Sequence, residues 1–92
     1  MPESLEAAVY WLHKAAAQGE AWAQLELGIA RFQGSGIKQD FEEALKWYLL
    51  ARRDEASREA AEANIAQVQA RLTRRQIARA ERLAEAWTPA ME

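Results

Sequence analysis

Apolar residues recur along this chain at intervals of three and four, the spacing that collects them on one side of a helix. Leu5, Ala8, Trp11, Leu12 and Ala15 make the first such face, with Pro2-Glu3-Ser4 ahead of it, Ser4 placed to cap its start and Gly19 to stop it. A second stretch, about Glu20 to Gln33, is apolar nearly all round. Ala23, Leu27 and Ala30 fall on one side and Trp22, Leu25, Ile29 and Phe32 on the other, as expected of a helix with neighbours on several flanks. Gly28 and the small alanines let those neighbours come close. Gly34 fits the left-handed residue that closes this helix, and Asp40 with Glu43 has the Asp-x-x-Glu spacing of a capping box for a third helix running to about Arg53. A narrow stripe of Ala61, Ile65, Val68 and Leu72 predicts a fourth helix over about Glu55 to Leu72. Thr73 and Gln76 give a second capping box, opening a last helix with the face Ile77, Ala80, Leu83, Ala84 and Trp87. Pro89 ends it, and the last few residues are expected to fray. Valine is scarce and alanine abundant, which disfavours sheet, so the expected class is all-α with about five helices.

The chain also resembles itself. An offset of 36 residues lays Ser4 on Asp40, Leu5 on Phe41, Glu6 on Glu42, Ala8 on Ala44, Trp11 on Trp47 and Ala15 on Ala51. That period marks a helical repeat, in which each helix pair buries its apolar face by stacking on the next. Between the matched helices run Ala23-Gln24, Leu27-Gly28, Gly34-x-Gly36-Ile37, Asp40, Ala44, Trp47-Tyr48 and Ala51. In these residues the chain resembles the Sel-one-like repeat family, relatives of the tetratricopeptide repeat built from antiparallel helix pairs. The resemblance is specific over 20–51 and loose after residue 55. It departs at Arg31, where the family usually has an aromatic, and at Arg52-Arg53. It implies a short α/α superhelix: one domain over 1–92, with 1–19 the second helix of a partial repeat, 20–53 a complete repeat, and 54–92 a degenerate repeat with a C-terminal capping helix. Trp11 and Trp47 are then expected to be equivalent core buttresses in successive layers, with a sharp reversal over 34–39.

Composition narrows the function classes. Ninety-two residues, half of them apolar, make one domain whose core must be dense or shared with a partner. The absence of cysteine excludes disulfides and cysteine metal ligands and leaves the compartment open. No apolar run approaches the ~20 residues that span a bilayer, and residues 1–18 lack the basic-then-apolar order of a signal peptide; a signal ahead of residue 1 stays open. A net charge of −2 argues against strong nonspecific attraction to nucleic acid.

Candidate chemistry is sparse. The single histidine, His13, has no nucleophile or ligand set spaced around it, so it reads as a structural or surface residue; Glu42-Glu43 reads as helix-start electrostatics. Gly34-Ser35-Gly36 follows a helix and lacks a P-loop lysine, which makes it a helix stop and not a phosphate cradle. No catalytic residue, metal site or cofactor is expected. Of the eight aromatics, Trp11, Trp47 and Tyr48 hold packing positions of the repeat, whereas Trp22 stands where the resembling family has a small or polar residue. By that resemblance Trp22, Glu26, Ile29 and Gln33 line a concave surface able to take a peptide or protein partner. Packing of Trp22 against the first helix is the alternative. The first helix lacks a pair, so one flank should be bare unless another chain or a preceding segment covers it, and Leu5, Val9, Tyr10 and Leu12 are candidates for homodimer formation. Arg71, Arg74, Arg75, Arg79 and Arg82 form the strongest local charge feature. Arg75, Arg79 and Arg82 point away from the last helix's apolar face, as a solvated surface does, with an anionic protein, lipid or nucleic-acid partner as the competing reading.

Overall fold

The computed structural model describes residues 4–90, which form five helices: α1 (Leu5–Ala17), α2 (Ala21–Gln33), α3 (Phe41–Ala51), α4 (Glu55–Gln69) and α5 (Arg74–Ala86). Pro2 and Glu3, and the expected fraying at residues 91–92, lie outside the described residues. Local chemistry sets the helix starts. Ser4 Oγ accepts the Ala7 N–H at 3.0 Å, Asp40 Oδ1 accepts the Glu43 N–H at 3.0 Å, and Asp54 Oδ2 accepts the Ala56 N–H at 3.1 Å. Thr73 and Gln76 complete the reciprocal capping box. The box expected at Asp40 is only half formed, because the Asp40 N–H crosses the loop to the Arg31 carbonyl at 2.9 Å and Glu43 pairs with Lys46 at 3.2 Å.

The first three helices pack as consecutive neighbours, and the last two both pack on the third. α1 lies on α2, α2 on α3, and α3 touches both α4 and α5, giving an elongated molecule of 42 × 27 × 22 Å. α3 is the hub: Ala44, Leu45, Trp47, Tyr48, Leu49, Leu50 and Ala51 are all buried. Tyr48, Leu27, Leu45 and Val68 are the largest fully enclosed side chains, and burial of a side chain of this size stabilises by about 1.5–3 kcal/mol. Tyr48 fits because Gly28 faces it. A Cβ at Gly28 would stand 2.6 Å from Tyr48 Cε1, so the bare backbone of α2 forms the seat of the ring.

The loop of residues 34–40 reverses the chain between α2 and α3, as expected. Gly34 (φ 73°) closes α2 in the left-handed region, and Gly36 (φ 74°) lets the loop touch α1, where a Cβ would meet the Leu5 carbonyl oxygen. Arg31, the departure from the family pattern, donates through Nη1 to the Lys38 carbonyl at 3.0 Å and so ties the loop down.

Three further expectations are corrected. Trp47 is buried, but Trp11 is 62% exposed, so the two indoles do not share surroundings. Trp47 has α1 on one side, through His13 at 6.0 Å between ring centroids, and Trp87 on the other at 6.2 Å; α1 is the first described helix, and no layer among the described residues covers the outer face of Trp11. Leu83, placed on the apolar face of α5, is 50% exposed, leaving Ala80 and Ala84 to make the close packing. The segment after α5 does not fray through Ala90, since the Ala90 N–H donates to the Ala17 carbonyl at 2.7 Å.

Candidate partner-binding site

The spacing 22, 26, 29, 33 puts Trp22, Glu26, Ile29 and Gln33 along one stripe of α2. Between that stripe and α1 runs a shallow groove of about 140 Å³. Glu26, Ile29 and Gln33 line it from α2, and Leu5, Val9 and Leu12 line it from α1. The residues expected to take a partner and those expected to self-associate thus meet in one place, which their separation in sequence did not indicate. Val9 is buried as the floor, Leu12 and Ile29 are half-buried walls, and Leu5, Glu26 and Gln33 are exposed along the edges. The groove exists because Gly36 brings the loop onto Leu5 and the α1–α2 turn at Gly19 (φ 99°) folds α2 back along α1.

Two residues of the expected sets stand outside the groove lining. Trp22 is 57% exposed near the start of α2, and Tyr10 is 58% exposed on α1, in T-shaped contact with Trp11 at 5.2 Å. Lys14 Nζ lies 5.8 Å from each of those two rings. Four of the five large exposed hydrophobic residues among the described residues, Leu5, Tyr10, Trp11 and Trp22, therefore belong to the first two helices. A concentration of this kind marks an interaction surface more strongly than scattered single residues do.

The arginine feature is divided by partners from elsewhere in the fold. Arg79 does not stand free in solvent: it forms a bidentate pair with Glu42 of α3, at 2.6 Å through Nε and 2.7 Å through Nη2. The hydrogen bond from Arg79, aided by its charge, holds the Glu42 carboxyl below the usual carboxylate range although partial burial opposes this, and the same bond raises the Arg79 guanidinium. Arg71 lies over the Phe32 and Phe41 rings, at 5.8 and 5.3 Å, covering the aromatic pair at the α2–α3 elbow. Arg75 and Arg82 remain exposed.

A second cavity, about 530 Å³, opens where the ends of α3 and α5 meet the start of α4. Arg52, Arg53 and Arg58 face Glu62, Glu81 and Glu85 there, so the charges balance. Arg53 Nη2 donates to the Ala84 carbonyl and Arg58 Nε to the Arg52 carbonyl, both acting on helix ends. No sequence signal marked this cavity, because its lining comes from three helices. Among the described residues no group of three or more His, Asp or Glu side chains is arranged to hold a metal ion. No helix among them is long and apolar enough to cross a membrane.

The model of the Sel1 repeat matches residues 1–20 and 23–54, more than half of the chain. The chain belongs to the Sel1 repeat family. The second match spans α2, the glycine loop and α3, and the first covers α1. Sel1 repeats are in general protein–protein interaction modules. A relative is chitin synthase regulatory factor 3 of Schizosaccharomyces pombe (strain 972 / ATCC 24843), 41% identical over 51 residues, which are 55% of this chain and 6% of that protein. The likeness is thus to a small part of a much longer regulatory protein. No solved structure matches the chain significantly.

Proposed function

We propose that the chain is a non-catalytic interaction module in which stacked helix pairs present the α1–α2 surface, as a concave face, to a peptide or protein partner. The observation that carries this reading is the groove itself: an apolar floor and walls edged by Glu26 and Gln33, with the exposed indole of Trp22 outside the lining but on the same stripe of α2, one turn before Glu26. A helix or extended segment with apolar anchors fits such a groove. The rigidity of the stack limits the ordering cost on binding. Trp22 supplies the type of residue that dominates binding energy at interfaces. A regulatory role for the yeast relative accords with a module that binds and does not catalyse.

Self-association is the second reading, favoured by the exposure of Leu5, Tyr10 and Trp11 on one helix. A second copy would fill the same groove. Sedimentation separates the two readings: a 10.4 kDa monomer across micromolar concentrations leaves the groove for a different protein, and a concentration-dependent dimer gives it to a copy of this chain. An anionic partner on Arg75, Arg79 and Arg82 is the weakest reading, because Glu42 already engages the middle guanidinium.

The deciding experiment is differential capture from cell extract. The wild-type chain and Arg75→Ala should retain a common protein that Trp22→Ala and Glu26→Lys lose, with circular dichroism confirming that all four are folded. Equal retention by all four would overturn the groove reading.

A further inference from the structure

The segment after α5 is an extended strap seated across the molecule. Trp87 leaves the helix at φ −72°, ψ 138°, and Pro89 constrains Thr88 to the same extended region. Trp87 sets its ring edge against Trp47 at 6.2 Å and 74°, and Trp47 meets His13 of α1 in the same manner at 6.0 Å and 76°. Pro89 reaches the α1–α2 turn, where a Cβ at Gly19 would stand 3.8 Å from its Cγ. The Ala90 N–H then donates to the Ala17 carbonyl at 2.7 Å. That carbonyl belongs to the last turn of α1, where acceptors lack helical partners and carry the negative end of the helix dipole. These contacts form an ordered read-out: an aromatic edge, one free position, a proline over glycine, and a backbone donor at a helix end. Trp87 is half-buried and residues 88–90 are exposed, so the strap is held on one side only.

We propose that the surface formed by Trp47, His13, Gly19 and the Ala17 carbonyl is a peptide-docking site distinct from the α1–α2 groove. Its occupant in trans is an extended segment of the form aromatic-x-proline-small, and residues 87–90 hold the site in cis until such a segment displaces them. The seated strap is what identifies the chemistry. An extended, proline-containing segment suits the site because it arrives with little conformational freedom to lose.

The test uses the full chain carrying Trp87→Ala and a synthetic peptide of residues 86–92, followed by NMR at the Gly19 amide and the Trp47 indole N–H. Both signals should shift saturably in the variant. In the wild-type chain the peptide should bind at least about tenfold more weakly, because the tethered copy competes at high effective concentration. A folded variant that does not bind the peptide overturns the proposal, as does an Ala90 amide in the wild-type chain that exchanges as fast as in a free peptide. If Trp87→Ala fails to fold, Ala90→Pro, which removes the donor and fixes φ in the extended region the strap already occupies, decides: peptide binding on the order of fivefold tighter than to wild type supports the site, and no gain refutes it. Both variants leave the α1–α2 groove untouched, so a failure here is distinguishable from a failure of the groove reading.

Discussion

Gly28 shows how one missing methyl sets the distance between two helices. Its substitution by alanine drives a Cβ to 2.6 Å from Tyr48 Cε1 and 3.2 Å from the Ala44 carbonyl oxygen, and the buried ring has nowhere to move. Gly28→Ala is expected to destabilise the chain by about 1–3 kcal/mol, measured by urea denaturation, the usual cost of overpacking a core. Tyr48 carries a further signature, since burial pushes its phenol up to about 12 from 10.0. Below pH 10 folded and unfolded chains both keep the proton; between pH 10 and about 12 only the unfolded chain releases it, so stability falls across that window. Tyr48→Phe should abolish this alkaline loss while keeping the packing. The repeat pattern made Gly28 and Tyr48 legible as packing positions. Trp11 was misleading for the same reason: residue type and repeat position were right, but burial depends on a covering neighbour, and none of the described residues covers this indole. The partners of Arg71 and Arg79 were equally hidden, because Phe32, Phe41 and Glu42 come from helices thirty or more positions earlier.

At the scale of elements the sequence was most informative, because caps and three-four spacing act locally. Helix starts at Ser4, Asp40 and Thr73 were readable from cap chemistry alone. Helix ends were less so, and α3 and α4 stop two and three residues earlier than expected, where turns and not glycines end them. Asp40→Ala removes the acceptor for the Glu43 N–H and is expected to cost about 1 kcal/mol in thermal or urea denaturation. The Glu42–Arg79 pair joins α3 to α5, and its pH dependence has a definite sign. The folded carboxyl titrates below its unfolded counterpart, so the contribution is present above the ordinary carboxylate range and is lost as pH falls through the depressed folded value. Wild type should therefore lose its advantage over Glu42→Gln on acidification, read from denaturation midpoints at a series of pH values. Added salt should narrow the difference, since the pair is exposed.

For the whole molecule, the 36-residue self-match gave the order of helices and their stacking, which is why an all-α repeat could be expected from one sequence. The groove could not be read in the same way. It arises where the α1 face and the α2 stripe meet side by side, and the sequence presents these as two separate sets, Leu5, Val9 and Leu12 against Glu26, Ile29 and Gln33. The strap of residues 87–90 was also missed, because proline near a chain end reads as a helix stop and gives no hint of a seat on the α1–α2 turn. The interaction reading therefore rests on the groove and on family membership, and not on equivalent tryptophans. Its most direct test is titration of the captured partner against the wild-type chain, a Glu26→Lys/Ile29→Ala double variant and Arg75→Ala. Affinity should fall by at least about tenfold for the double variant, the scale of an interface hot spot, and stay unchanged for Arg75→Ala. A folded double variant that binds as tightly as wild type would contradict the account.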